Sequence, residues 1–197
     1  MATVDPRLAV EFCGISMKNP IVAASGTFGF GLEYDGYLDL NTEVGAISVK
    51  GLTPTARPGN AGVRIAETPS GVLNCIGLEN PGAEAFVADI LPTLAQYDVP
   101  IFANISGNTL EEYEFMAKTL TVEGVAALEV NISCPNVKCG GMAFGVQADS
   151  AAAVCKAVKS HTDLPVIMKL SPNVTDIVEI ARAVEAAGAD GISMINT

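Results

Sequence analysis

Two lysines close apolar runs in this chain: Lys50 ends AISVK and Lys169 ends VIMK. A lysine leaving a stretch of buried residues needs an anionic or carbonyl partner. Two asparagines stand in the same way, Asn104 ending IFAN and Asn131 ending LEVN. An amide has donors and acceptors on one flat group, which suits the edge of a planar heterocycle. The competing reading is an asparagine holding its own backbone in a turn. The Ile-Ser that follows each of them favours an extended chain and a site role. Cys134 opens the segment SCPNVKCGGMAFG, and a thiol on such a loop can act as nucleophile or general base. Ser25, Ser133, Ser171, Asn196 and Thr197 also lie at the ends of apolar runs. Contact with water accounts for serines and threonines there better than it accounts for the two lysines.

Other groups read as structural. His161, the only histidine, sits between Ser160 and Thr162 at a helix end and is expected to be a solvated surface residue. A Cys–His nucleophile pair is therefore not expected. Cys134 and Cys139 lack the further ligand pairs of a metal centre, and no metal is expected. Cys13, Cys75 and Cys155 read as small apolar packing residues. The glycines of SGTFGFG do not follow the G-x-G-x-x-G dinucleotide pattern, although a close approach of backbone to ligand fits them.

The elements that must position these residues alternate. Strand-like runs lie at 21–25, 46–50, 101–106, 127–133, 166–171 and 191–196, apolar on consecutive positions as parallel strands buried on both faces are. Helix-like stretches lie at 81–96, at 110–122 after the N-cap residue Thr109, at 148–160, and at 175–187 before Gly188. Residues 8–13 and 15–18 flank Gly14 and read as a small hairpin. Segment 51–80 reads as one long irregular loop, and loops of that length are usually functional. Repeated strand–helix units mean an α/β fold with a parallel sheet. The spacing of the runs, with two more units, approaches the ~250 residues of an eight-stranded (β/α) barrel. The expectation is a (β/α)8 TIM barrel with about six of its eight strands in this chain, a single domain over 1–197, incomplete at its C-terminus. The alternative is a complete six-stranded open sheet.

Composition narrows the function. The chain has 197 residues, 49% apolar and 17% charged, with a formal charge of −11. That balance argues against nucleic acid or an anionic membrane surface as partner. No uncharged apolar run approaches the ~18 residues that span a bilayer, and the start lacks a signal peptide's apolar centre. A cytoplasmic location with reduced thiols is expected.

Several segments, in order, resemble one family: GISMKNPIVAASGTFG, SVKGLTP, NCIGLENPG, NISCPNVKCGG, KLSPNV and GADGISMINT. The sequence resembles the dihydroorotate dehydrogenases, flavin enzymes of pyrimidine synthesis. The continuation VK-x-GG-x-x-FG is similar to the NAD-linked, two-subunit branch. The resemblance implies an FMN-containing barrel that oxidises dihydroorotate to orotate, with Cys134 taking a proton from C5 while hydride leaves C6 for the flavin. It implies FMN contacts from Ser25, Lys50, Gly51, Asn104, Asn131, Lys169 and Ile195. It implies substrate contacts from Lys50, Asn74, Cys75, Ile76, Gly77, Leu78, Asn131, Asn196 and Thr197, with Asn74 and Asn80 in a lid. Lysines beside the flavin would stabilise the negative charge that forms on reduction. The branch further implies a partner subunit carrying FAD and a [2Fe–2S] cluster, which passes electrons to NAD, and a catalytic homodimer within a heterotetramer. The family's phosphate-binding loops follow its last two strands, so residues 1–197 alone are expected to bind FMN poorly.

Two other function classes remain open on the sequence. One is a lysine-dependent aldolase forming a Schiff base at Lys169. The other is a non-catalytic truncated barrel that only binds a partner chain. A flavin reductase acting on tRNA is disfavoured by the negative charge.

Overall fold

A computed structural model describes residues 4–133 and 144–195. The expected hairpin is present: β1 (Val10–Phe12) pairs antiparallel with β2 (Ile15–Met17). Its two-residue turn holds Cys13 and Gly14 at positive φ, 52° and 77°. Six strands then form one sheet: β3 (Val22–Ala23), β4 (Ala46–Ser48), β7 (Ile101–Ile105), β8 (Ala127–Asn131), β9 (Val166–Lys169) and β10 (Gly191–Ser193). The order is β10-β9-β8-β7-β4-β3, and every pairing is parallel. Each strand lies where an apolar run predicts it, two or three residues shorter at its C-terminal end in most cases.

The sheet is curled. Lys169 on β9 donates from Nζ to Ser25 Oγ, just after β3, at 3.3 Å. Four strand steps separate β9 from β3 in the order, roughly 19 Å in a flat sheet at ~4.8 Å per step. No lysine side chain covers that distance, so the two ends of the sheet have turned toward each other. The faces of the curled sheet differ accordingly. Outward side chains such as Ile47, Ala103, Ile105, Leu128, Val130 and Met168 join the helices in the large core. Inward side chains form a second, smaller cluster of Met17, Ala46, Phe102, Ala127 and Ile167. Met17 closes this foot from the hairpin, and Cys13 donates from Sγ to the Asp190 carbonyl at 3.2 Å. A Cβ on Gly191 would lie 2.8 Å from that sulfur, so glycine there lets the hairpin seat against β10.

The helices follow their caps. The helix α3 (Leu110–Leu120) opens with Thr109 Oγ1 accepting from the Glu112 N–H. Helix α4 covers Ala148–Lys159. Helix α5 (Ile177–Ala186) opens with the Asp176 carboxylate accepting from Val178 and Glu179, and Gly188 follows it at φ 100°. The stretch expected as one helix over 81–96 is composite: α1 (Ala83–Ala85), a π-helical turn Phe86–Ile90 and α2 (Leu91–Leu94). Pro92 has no N–H to give the preceding turn and its ring crowds the carbonyl four residues back, which opens the helix locally to the wider winding.

Three expectations are corrected. Segment 51–80 is not wholly irregular: β5 (Ile65–Thr68) and β6 (Gly71–Asn74) form an antiparallel hairpin. All eight of its residues are exposed, so no buried periodicity marked it in the sequence. Cys75 is exposed, with Asn60 Nδ2 3.0 Å from its sulfur, whereas Cys155 is buried and Cys13 half-buried as packing residues. His161 is half-buried against α4 and α3: Nδ1 lies 2.9 Å from the Ala157 carbonyl and Nε2 3.8 Å from Glu114. No helix among the described residues is long and apolar enough to cross a membrane.

Candidate active site

Alternate residues along each strand point into the curled interior, and they form three staggered tiers, since the register sets Ser48 opposite Phe102 and Glu129 opposite Ile167. Above the apolar foot, two residues further along each strand, come Ser48, Asn104 and Glu129. Glu129 Oε2 accepts from Ser48 Oγ at 2.5 Å and Asn104 Nδ2 at 2.6 Å, and Oε1 accepts from Ser193 Oγ at 2.8 Å. The next level up holds Lys50, Asn131 and Lys169, all half-buried. Asn131 and Lys169 are register partners, and Ser193 is the partner of Lys169 on its other side. The curl brings Ser25 to Lys169 from the far edge.

Lys50 stands two residues past the end of β4, with its backbone N–H donating to the Gly29 carbonyl at 2.8 Å. A Cβ on Gly26 would lie 4.0 Å from Lys50 Nζ, so the loop after β3 passes beside this ammonium. Burial holds the Lys50 ammonium below the usual lysine range, and the Glu79 carboxylate's charge works against that shift. Among the described residues neither Lys50 nor Lys169 forms an ion pair. Ser106 Oγ, beyond Asn104 on the same strand, is buried without a hydrogen-bond partner among the described residues. Half-buried cations without anions and a buried hydroxyl without a partner are features that a polar, anionic ligand completes.

The long segment 51–80 forms one wall. Gly51 is buried, and a Cβ there would come within 2.9 Å of Asn104 Oδ1 and 3.1 Å of Leu78 Cδ1. Leu78, at φ 55°, thus reaches the strand ends, and Gly77 before it is at φ 81°, where a Cβ would also come within 2.6 Å of Asn60. Asn80 is not part of a lid. It is buried as a clamp: Oδ1 accepts from the Thr53 and Gly82 N–H groups, and Nδ2 donates to Thr53 Oγ1 and the Leu78 carbonyl. Asn131 realises the turn-holding reading with one half of its amide, since Oδ1 accepts from both Ser133 N–H and Ser133 Oγ. From outside the sheet, Tyr113 Oη donates to the Asn131 carbonyl at 2.8 Å.

The structure therefore assembles Ser25, Lys50, Gly51, Asn104, Asn131, Lys169 and Leu78 at one mouth. Ile76 and Gly77 are half-buried on the approach to it, while Asn74, Cys75 and Ile195 are exposed, and among the described residues no ion pair ties them to Lys50 or Lys169. Cys134, Asn196 and Thr197 lie outside the described residues. Glu129 and its partners Ser48 and Ser193 were not anticipated. The signal was present: a glutamate inside the apolar run ALEV is as anomalous as the two lysines and calls for the same explanation.

Residues 7–197 match the family model described as dihydroorotate dehydrogenase. A protein of Anoxybacillus flavithermus is 58% identical over 192 residues, covering 97% of this chain and 61% of its own length. A Geobacillus protein is 57% identical and covers the same shares. One from Desulforudis audaxviator is 56% identical, covering 97% of this chain and 62% of its own length. All three are named dihydroorotate dehydrogenase B (NAD(+)), catalytic subunit. The chain spans about three-fifths of the length of these relatives. The chain belongs to the dihydroorotate dehydrogenase family, and its curled six-stranded parallel sheet is part of a (β/α)8 barrel.

Proposed function

We propose that the protein is the FMN-binding catalytic subunit of an NAD-linked dihydroorotate dehydrogenase, oxidising dihydroorotate to orotate in the cytoplasm. In this reading residues 1–197 belong to a single FMN-binding barrel domain with the hairpin at its foot. The observation that carries it is the pair of half-buried lysines, Lys50 and Lys169, each at the C-terminal end of an apolar parallel strand along with two amides and without an ion-pair partner among the described residues.

The donor set fits a flavin. Ser25, Lys50, Gly51, Asn104, Asn131, Lys169 and Ile195 would hold FMN. Bound FMN supplies the hydride acceptor. Lys169, steadied by Ser25, would supply a preorganised positive charge to offset the negative charge that flavin reduction creates. Lys50, the run from Asn74 to Leu78 (with Cys75, Ile76 and Gly77), Asn131, Asn196 and Thr197 would hold the pyrimidine and its carboxylate. The depressed Lys50 ammonium gains most from an anionic substrate, because pairing offsets its burial. Cys134 as thiolate accepts the C5 proton while the C6 hydrogen leaves with its electron pair, so the substrate loses one proton and one hydride and gains the C5–C6 double bond. Electrons would then pass to NAD through a partner subunit carrying FAD and a [2Fe–2S] cluster, with the catalytic chain a homodimer inside a heterotetramer.

The test is a visible spectrum of the complete protein before and after anaerobic dihydroorotate. A flavin band that bleaches on addition supports the reading. A flavin band that persists moves the substrate elsewhere, and a colourless protein that takes up no added FMN overturns it.

A further inference from the structure

We propose that Glu129 is a positioning residue of this site, which fixes the Asn104 amide so that Oδ1 is offered as an acceptor to a ligand N–H. Glu129 is 8% exposed and Asn104 1% exposed, inside the curled sheet. A carboxylate oxygen has lone pairs to give, and an amide oxygen facing it at 2.6 Å would set two acceptors against each other. The amide must therefore turn Nδ2 down to Glu129, which leaves Oδ1 on the other side. There it lies against Gly51, whose missing Cβ leaves the space that the amide occupies. One orientation of Asn104 is selected from below by charge and from the side by shape.

The carboxylate is itself held from both directions. Ser48 on β4 and Ser193 on β10 donate to its two oxygens, so one side chain on β8 ties together strands two positions away on either side. The level below the mouth is thus a continuous hydrogen-bonded layer, and the acceptor it presents is set before any ligand arrives. Preorganisation of this kind spares the ligand the cost of ordering the group it meets. The inference rests on FMN being the ligand at the mouth. Oxidised isoalloxazine carries one ring N–H, at N3, and 3-methyl-FMN has none to donate.

The experiment measures dissociation constants of FMN and 3-methyl-FMN by flavin fluorescence on the apo form of the complete protein. Wild type is expected to prefer FMN by about tenfold or more, one hydrogen bond's worth of selectivity against a blocked donor. Glu129→Gln retains an oxygen for Asn104 and Ser48 and an NH2 group that Ser193 Oγ can accept, so the preference should survive within about threefold. Glu129→Met removes the acceptor, frees the amide to turn, and should bring the preference close to one, with FMN binding about tenfold weaker. A folded Glu129→Met with the wild-type preference overturns the proposal. If that variant does not fold, Ser193→Ala loosens the carboxylate at Oε1 without changing its volume: a preference at least threefold reduced supports the proposal, and an unchanged one overturns it. Wild type binding both flavins equally also overturns the proposal while leaving FMN as ligand. Wild type binding neither removes the FMN reading and this inference with it.

Discussion

Ala46, Phe102, Ala127 and Ile167 at the foot of the barrel are shut in by Met17, whereas two residues along three of the same strands Ser48 and Asn104 bond to Glu129, and further along Lys50, Asn131 and Lys169 stand half-buried. The strands are the same and the backbone pairing continues unbroken from one level to the next. What changes is the currency of cohesion: dispersion and area at the foot, directed hydrogen bonds in the middle, unbalanced positive charge at the mouth. The foot can fail only by losing volume, and the mouth carries groups that cost stability until a ligand arrives.

The largest effect expected is at the foot. Phe102→Ala should lower unfolding stability by about 3–5 kcal/mol, read in urea melts, because the foot cannot collapse around the missing ring. At the mouth, Lys169→Ala should change stability by under about 1 kcal/mol yet slow anaerobic flavin reduction by about 10², the size seen when one preorganised charge-stabilising group is removed. A comparable stability loss from both variants would erase the distinction between the levels. Gly51→Ala crosses the boundary: its Cβ meets the Asn104 amide that Glu129 holds and the Leu78 side chain, and overpacking of about 1–3 kcal/mol should weaken flavin binding along with stability.

A pH series sharpens the contrast. Lys50 titrates lower in the folded chain than its value of 10.5 in the unfolded one. Between those two values the unfolded chain holds the extra proton, so stability of the ligand-free protein rises with pH; the penalty is complete below the folded value and gone above the unfolded one. Lys50→Met should flatten that rise and weaken dihydroorotate binding together, in urea melts from about pH 8 to pH 11. The smallest change expected is Arg64→Ala, which removes the 2.7 Å pair with Glu79 from the exposed hairpin wall. Solvent and salt reduce such a pair to about 0.2–1 kcal/mol, so melts should barely move.

The barrel strands were legible because burial on both faces leaves consecutive apolar residues such as IFA and VIM, a pattern that few other structures produce. The mouth was legible through Lys50 and Lys169 for the converse reason, a charge where apolar residues are the rule. Glu129 escaped because it lies mid-strand, and its partners Ser48 and Ser193 come from strands far away in sequence, so no local spacing announces them. The 65–74 hairpin escaped because exposed strands carry no hydrophobic alternation. Asn80 is a case of identical chemistry put to another use: its amide is saturated by Thr53, Leu78 and Gly82, and only the fold reveals that.

The hydrogen bond from Cys13 to the Asp190 carbonyl has a consequence in time. It joins residues 177 positions apart, so the hairpin that emerges early from the ribosome lacks this anchor until the chain has reached β10. At about 5–20 residues per second that is a wait of roughly 10–35 s, during which Cys13 lacks the carbonyl that receives its thiol, although Phe12 and Met17 meet Phe102 well before then. The residues before the first barrel strand thus settle in stages, and a nascent chain paused before β10 holds a hairpin that is packed on the foot but not yet tied to that strand.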